Sequence, residues 1–227
     1  DESLPHGPLE LLMTVAEEVG LEGANALDPA LVTGSILVNL DSEEDGKLTV
    51  GCAGSTDTWI HVDGERAAAS EGSVTLSVTV SGGQGGHSGM GITLGRSNAV
   101  KALGRALRET LESVPFRLVS FSGGKSRNAI PRDASAVVSV AGEREQDFRA
   151  SVEVAAATIR EAFAKTDAAV TVSVGPGEAA ADPWTDAATA TLLDAVALVP
   201  TGPLALSPDF DDLVAGVAEG CRKAGCA

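Results

Sequence analysis

Two short apolar runs, each followed by carboxylates, most constrain how the N-terminal part of this chain can fold. They are residues 9–16, LELLMTVA, and residues 36–40, ILVNL. Near-continuous apolar runs of this length, bounded by turn residues, are typical of strands buried on both faces of a parallel sheet. The intervening residues 21–34 have room for one short helix, so this part of the chain is predicted to form a βαβ unit.

The carboxylates that end these runs indicate a metal site. Glu17 and Glu18 follow the first run, and Asp41 follows the second. Parallel strands place their carboxyl ends at the same edge of a sheet, so these three side chains are expected to lie together. Clustered carboxylates repel one another unless a cation or shared protons compensate. A solvated helix face for the glutamates, and an acidic loop for residues 41–46, are the alternative interpretations, and spacing alone does not decide.

Composition limits the class of partner. The hydrophobic fraction of 44% and the charged fraction of 21% are typical of a globular protein, and the net charge is −16. Because phosphate binding requires clustered Lys and Arg, this charge argues against nucleic acid or an anionic membrane as a partner. The three cysteines are too few for a disulfide framework, and no apolar run approaches membrane-spanning length. We therefore expect a cytoplasmic protein with no membrane partner.

The hydrophobic pattern changes after residue 51. Predicted strands cover residues 57–62, 74–80, 116–121, 134–140 and 170–174. Three helices are also predicted: one begins at Ser97 or Asn98, one covers residues 145–165, and one runs from an N-cap at Asp182 to about Val199. From residue 74 the order is strand, helix, strand, strand, helix, strand, which is the split βαβ pattern of a ferredoxin-like domain. The predicted fold class is therefore α/β, with a partial parallel-sheet domain (residues 1–51) followed by an α+β ferredoxin-like domain (residues 52–227).

The glycine-rich loop 82–91, GGQGGHSGMG, does not fit a nucleotide-binding loop. The third glycine of a G-x-G-x-x-G motif is replaced by Ser88. The sequence GKS at residues 124–126 lacks the earlier glycine of a P-loop, because Val119 stands at that position. Phosphate binding at either loop is therefore weakly supported.

His87 and Asn128 are candidate binding residues in two loops. His87 is flanked by glycines and has no apolar neighbour in sequence, so it could reach into a site as a hydrogen-bond donor or acid. A solvated loop histidine is the alternative. Asn128 lies between two predicted strands, where a turn asparagine that bonds its own backbone is the simpler interpretation.

Five sequence blocks together resemble one enzyme family. They are HGPLELLMTVAEEVGLEGA, NLDSEEDG, GCAG, GGHSG and SRNAIPRDA, starting at residues 6, 39, 51, 85 and 126. In this order and at these separations they resemble the bacterial aminoacyl-histidine dipeptidases (Xaa-His dipeptidases, carnosinase-like). This family belongs to the dinuclear zinc aminoacylase/carboxypeptidase superfamily. The resemblance extends from His6 to about Val140 and returns weakly at residues 207–214.

The resemblance implies a role for each candidate residue. Glu17 matches the general base that takes a proton from a metal-bridging water and so leaves a metal-bridged hydroxide, and Glu18 and Asp41 match ligands of the two zinc ions. His87 and Asn128 match residues of the lid domain that bind the substrate. The implied substrate is Xaa-His and related dipeptides, the implied metals are two Zn²⁺ (Co²⁺ or Mn²⁺ as substitutes), and the implied assembly is a homodimer formed through the lid domain.

The resemblance also implies metal ligands outside this sequence. The family's His-x-Asp strand and bridging aspartate would precede residue 1, and its last histidine ligand would follow residue 227. We therefore expect a fragment that lacks both ends, binds zinc weakly by itself and hydrolyses nothing. An N-acyl-amino-acid deacylase of the same superfamily and a non-catalytic lid-type dimerisation module remain the alternative functions.

Overall fold

The structure, a computed structural model, describes residues 4–17, 20–41, 45–49, 54–209 and 214–218. The chain divides into two compact units, Asp1–Thr58 and Trp59–Ala227. The domain boundary expected between residues 51 and 52 stays a prediction, because residues 50–53 lie outside the described part. In the helices of the described ranges, none combines the length and the apolar character that crossing a membrane requires.

The first unit is largely irregular. Its described residues form one short helix, α1 (Glu22–Asn25), and a 3₁₀ turn at Pro29–Leu31. The two apolar runs form no strand, and their side chains are exposed, with Leu11 85% and Leu40 86% accessible. The two predicted parallel strands are therefore wrong for the described residues. A parallel strand is stable when neighbouring strands and covering helices bury both of its faces, and the described residues of this unit provide neither.

The second unit contains the folded core. Its elements in chain order are β1 (Ser73–Ser81), β2 (Gly86–His87), α2 (Ala99–Ser113), β3 (Phe116–Gly123), β4 (Ala129–Ile130), β5 (Ala134–Ala141), α3 (Glu145–Ala162), β6 (Thr171–Pro176), α4 (Asp186–Leu198), β7 (Gly202–Leu206) and β8 (Val214–Ala218). The main sheet has the order β3-β5-β1-β6, and each neighbouring pair is antiparallel. With one helix between β1 and β3 and another between β5 and β6, this is the ferredoxin-like arrangement that the sequence predicts. The mixed α/β fold class is confirmed.

The core of this unit lies between the sheet and its helices. Along β1 the buried side chains alternate as Leu76, Val78 and Val80, as the sequence pattern predicts. Helix α2 contributes Leu103 and Leu107, both fully buried. Its N-cap is Asn98, whose side chain accepts a hydrogen bond from the Lys101 N–H at 3.1 Å. The predicted start of this helix is therefore confirmed.

Two further element predictions, one at the boundary of the units and one in the second unit, are wrong. Residues 57–62 are irregular and exposed, although they alternate as a strand would. Helix α4 begins after Thr185, which caps it, and not after Asp182. The reason is long-range pairing: the Ala67 N–H donates to the Pro183 carbonyl at 3.0 Å, and the Trp184 N–H donates to the Leu118 carbonyl at 2.8 Å. These bonds hold residues 183–184 in an extended conformation.

Candidate functional site

A short antiparallel ladder brings His87 beside Asn128 in the second unit. Strand β2 pairs with β4 so that His87 lies opposite Ala129. The next hydrogen bond along this ladder runs from the Ser88 N–H to the Asn128 carbonyl, at 2.9 Å. The two lid residues that the resemblance implies therefore lie at one place, although neither periodicity nor spacing predicted their pairing.

The His87 ring is oriented by the backbone of its own loop. Its Nδ1 accepts a hydrogen bond from the Gly89 N–H at 3.0 Å. A ring nitrogen that accepts a hydrogen bond carries no proton, so the neutral imidazole has its proton on Nε2. Because the side chain is exposed, Nε2–H is a donor that a ligand oxygen could reach.

Asn128 is half-buried, and its side chain is also oriented. The Ser126 hydroxyl donates a hydrogen bond to Asn128 Oδ1. This differs from a turn asparagine that bonds its own backbone. With Oδ1 acting as an acceptor, the NH₂ group of Asn128 is the end of the amide that can donate to a ligand.

Two glycines allow the loop 82–91 to pack closely against its surroundings. Gly82 has φ +82°, and a Cβ atom there would lie 2.1 Å from the Ala169 carbonyl oxygen. Gly85 has φ +64°, and a Cβ atom there would lie 2.4 Å from Cγ of Arg132. Larger residues would be strained by the left-handed backbone and would also collide. The glycines thus serve close packing of the loop rather than phosphate binding.

Three charged residues that sequence reasoning missed hold this loop. Arg132 Nε donates to the Gly83 carbonyl at 3.2 Å, and Arg96 Nη1 donates to the Gly85 carbonyl at 2.6 Å. Asp167, fully buried, accepts a hydrogen bond from the Gln84 N–H at 3.1 Å. Arg132 belongs to the block SRNAIPRDA and could have been noticed there, whereas Arg96 and Asp167 lie in no quoted motif.

In the first unit the structure leaves the predicted metal site untested. Glu17 is exposed, and its carbonyl accepts the N–H groups of Gly20 and Leu21 in a turn. Asp41 is exposed, and its N–H donates to Asn39 Oδ1 at 2.8 Å. Glu18 lies outside the described residues, so the expected meeting of Glu18 with Asp41 stays a prediction.

Glu10, in the first apolar run, bonds residues that lie just before the second run, although the sequence analysis did not single it out. Its carboxylate accepts the N–H groups of Thr33 and Gly34 at 3.0 Å each, and the Thr33 hydroxyl also donates to it. The Thr33 side chain first, then the two backbone donors, lower the pKa of Glu10 below its ordinary value. These bonds give Glu10 a structural role in a part of the chain that has no regular sheet.

The described residues do not complete a zinc site. Among them, no group of three or more His, Cys, Asp or Glu side chains lies close enough together to hold a metal ion. A catalytic zinc ion normally has three protein ligands. Asp41 is the one predicted ligand within the described ranges, so no catalytic step through a metal is derived from this structure.

Comparisons with known proteins agree with the resemblance. Residues 68–167 match the family described as Peptidase dimerisation domain. Over 144 residues the chain is 44% identical to the cytosol non-specific dipeptidase of Escherichia coli (strain K12), covering 63% of this chain and 30% of that protein. The crystal structure of the aminoacylhistidine dipeptidase from Vibrio alginolyticus superimposes with a TM-score of 0.72 at 30% identity, covering 88% of this chain and 41% of that one.

The chain thus spans less than half the length of either relative. The match to the dimerisation domain covers most of the ferredoxin-like part, from β1 to α3, and ends before β6. The resemblance to dipeptidases is confirmed, and the ferredoxin-like part of this chain is similar to the Peptidase dimerisation domain.

Proposed function

We propose that this chain is part of a dipeptidase that hydrolyses Xaa-His and related dipeptides. The observation that carries the proposal is the ladder that sets His87 beside Asn128. It is supported by the 44% identity to a protein named as a dipeptidase. The substrate class follows the name of the Vibrio alginolyticus relative, an aminoacylhistidine dipeptidase.

In this proposal His87 and Asn128 act as donors to the peptide carbonyl. When water attacks a peptide bond, negative charge develops on the carbonyl oxygen. Two donors whose orientation is already fixed lower the free energy of that state, and one such donor is worth about 3 kcal/mol. The bonds at His87 Nδ1 and Asn128 Oδ1 fix these orientations.

The proposal includes a metal cofactor and a general base. Zinc as the cofactor, Glu17 as the base, and Glu18 and Asp41 as ligands are all taken from the resemblance. For this chain alone we expect weak zinc binding. Titration with zinc followed by calorimetry tests this expectation, and a tight isotherm with two metal ions per chain would contradict it.

We also propose a homodimer formed through the second unit, in the cytoplasm. The match of residues 68–167 to a dimerisation domain supports the dimer, and the name of the Escherichia coli relative supports the location. Sedimentation equilibrium tests the assembly: a single species of twice the chain mass is the expected result, and a monomer at all concentrations would contradict it.

The activity is tested on the polypeptide expressed from its natural gene. Xaa-His dipeptides and N-acetyl amino acids are offered in parallel, with zinc present. Hydrolysis of the dipeptides supports the proposal. Hydrolysis of the N-acetyl compounds alone favours a deacylase, and a folded dimer that hydrolyses neither favours a non-catalytic dimerisation module.

The site residues are tested in the same assay. His87→Gln is expected to lower dipeptide turnover about 10²- to 10³-fold, since it removes an oriented donor. His61→Gln is the matched control, because His61 is exposed in the same unit and lies outside the two loops. Equal activity of the two variants would remove His87 from the site.

A further inference from the structure

Asp167 is a buried carboxylate that connects three distant parts of the second unit. Its side chain is fully buried. It accepts hydrogen bonds from the Ser97 N–H at 3.1 Å, the Ser97 hydroxyl at 2.6 Å and the Gln84 N–H at 3.1 Å. These partners lie 70 and 83 residues away in sequence. One of them lies in the loop that carries His87, and the other directly precedes the N-cap of α2.

The turn that contains Asp167 contacts the loop at further points. The Gln84 side-chain amide donates to the Thr166 carbonyl at 3.1 Å. Gly82 packs so closely on Ala169 that a Cβ atom would lie 2.1 Å from its carbonyl oxygen. The first half of the loop is therefore fixed against residues 166–169, and the Asp167 carboxylate is the one ionisable group among these contacts.

The fixed part of the loop leads directly into the ladder at His87. After Gln84, the Gly85 carbonyl is held by Arg96, and Gly86 and His87 pair with β4. Only Gly85 and Gly86 separate Gln84 from His87, so a displacement of the Gln84 backbone would also displace His87 unless these two residues changed conformation. The Asp167 contact at Gln84 therefore lies close to His87 along the chain.

We infer that Asp167 is a positioning residue, whose carboxylate fixes the loop 82–91 through Gln84 and Ser97 and so fixes the strand β2 that carries His87 next to β4. The catalytic meaning of this inference rests on the proposed function, whereas its structural part does not. An ionised carboxylate accepts hydrogen bonds and donates none, which suits three donors. In Asp167→Asn the amide NH₂ would face an N–H or O–H donor in a buried place, and at least one of these bonds would be lost.

The test compares Asp167→Asn with a matched variant elsewhere in the same unit. Thr189 is also fully buried, and its hydroxyl accepts the Leu118 N–H at 3.0 Å, away from the loop. Thr189→Val therefore removes a buried hydrogen bond without touching residues 82–91. Ser97→Ala, which removes the hydroxyl bond alone, is a milder second variant in case Asp167→Asn fails to fold.

The readout is amide hydrogen exchange followed by NMR on the whole chain. We expect the Ser88 and Gln84 amides to exchange at least about tenfold faster in Asp167→Asn, and faster to a smaller degree in Ser97→Ala, than in the original protein. The Gly89 amide resonance should shift in both variants, because its hydrogen bond to His87 Nδ1 is disturbed. In Thr189→Val the exchange rates of these three amides should change only by the factor that applies to amides exchanging through global unfolding.

Unchanged exchange at Ser88 and an unchanged Gly89 resonance in folded Asp167→Asn, or equal effects in Thr189→Val, would overturn the inference. Dipeptide hydrolysis by the polypeptide from the natural gene is measured separately. If the original polypeptide hydrolyses no dipeptide, while the loop is loosened in Asp167→Asn, Asp167 is still the positioning residue of the loop but the proposed function is rejected. A loosened loop with undiminished kcat would overturn the catalytic meaning of the inference.

Discussion

The two units of this chain use apolar residues in opposite ways. In the second unit the alternating residues of β1 and the apolar side of α2 are buried in one core. In the first unit the apolar runs 9–16 and 36–40 are more strongly hydrophobic in sequence, yet they are exposed and irregular. The difference shows that apolar content does not by itself create a strand: the second unit contains the neighbours that its strands need, and the described residues of the first do not.

The comparison also applies to the candidate site. His87 and Asn128 lie in segments that connect elements of a formed antiparallel sheet, His87 after β1 and Asn128 between β3 and β5, and their side chains have fixed hydrogen-bond partners. Glu17 and Asp41 follow runs that form no sheet among the described residues. We therefore expect the lid half of the site to be formed in this chain and the metal half to need further structure around it.

The largest expected effect is the loss of stability when a core leucine of the second unit is replaced, compared with the same replacement of an exposed leucine of the first. Leu103→Ala, fully buried on α2, is expected to lower the free energy of unfolding by about 3 kcal/mol, because it leaves a cavity. Leu11→Ala should change it by less than about 0.5 kcal/mol. Urea unfolding followed by Trp184 fluorescence in a Trp59→Phe background, and by circular dichroism, measures both. A comparable loss for Leu11 would mean that the first unit buries this run.

The next effect concerns pH and the carboxylate Asp167. Burial raises the pKa of Asp167, but the hydrogen bonds from Ser97 and Gln84 outweigh it, so the pKa lies below its ordinary value. The stabilisation is therefore present above the ordinary aspartate pKa of about 3.9 and is lost as the pH falls through the lower folded value. At neutral pH, Asp167→Asn should cost about 2 kcal/mol, since a buried donor loses its acceptor.

The difference between Asp167→Asn and the original protein should shrink on acidification. Urea unfolding between pH 7 and the acid limit of folding measures it. Glu10→Gln is the matched control from the first unit, where the pKa is also lowered but the carboxylate is exposed. We expect a smaller pH-dependent change there, because solvent screens exposed charges. A difference for Asp167→Asn that grows towards acid pH would contradict the assignment.

A smaller effect is expected at the helix caps. Asn98→Ala removes the cap of α2 and should cost about 1 kcal/mol, whereas Asn98→Asp keeps an acceptor and should cost less. In the first unit Asp28 caps the turn at Pro29–Leu31 through the Ala30 N–H at 2.9 Å. Asp28→Ala should leave the unfolding midpoint unchanged within error. Equal losses at both caps would mean that the two units unfold together.

The smallest effect should be a gain in stability. The hydroxyl of Thr110 on α2 is fully buried and has no hydrogen-bond partner among the described residues. Thr110→Val keeps the shape and removes the unsatisfied group, so the free energy of unfolding should rise by about 0.5 to 1 kcal/mol. Thr158→Val on α3 is the control, because its hydroxyl is exposed and bonds the Val154 carbonyl. A loss of stability in Thr110→Val would indicate a partner for the hydroxyl.

Local patterns predicted most elements of the second unit because each element shows a clear hydrophobic period in its own residues, although its strands pair with distant ones. Alternation predicted β1 and β3, and the helical spacing of apolar residues with an N-cap predicted α2. The start of α4 was missed because Asp182-Pro183 is a strong local start signal, whereas the bonds that keep Trp184 extended come from distant residues. The residues next to Trp184 in sequence carry no signal of this long-range pairing.

The residues of the candidate site were also predicted only in part. His87 and Asn128 were named from motifs, but their juxtaposition depends on the pairing of β2 with β4, two strands of two residues each. Asp167 was not predicted at all, since nothing near it in sequence distinguishes it from a surface aspartate. The strand predictions for residues 9–16 and 36–40 were wrong because a buried strand is a property of the sheet around it.

The most direct test of the account is a double-mutant cycle between His87 and Asn128, measured on dipeptide hydrolysis by the polypeptide from the natural gene. If both side chains act on the same group of the substrate, His87→Gln and Asn128→Ala should be coupled by about 0.5 to 3 kcal/mol, and the double variant should lose less activity than the product of the single losses. Losses that simply multiply would show two independent residues and would contradict a shared site.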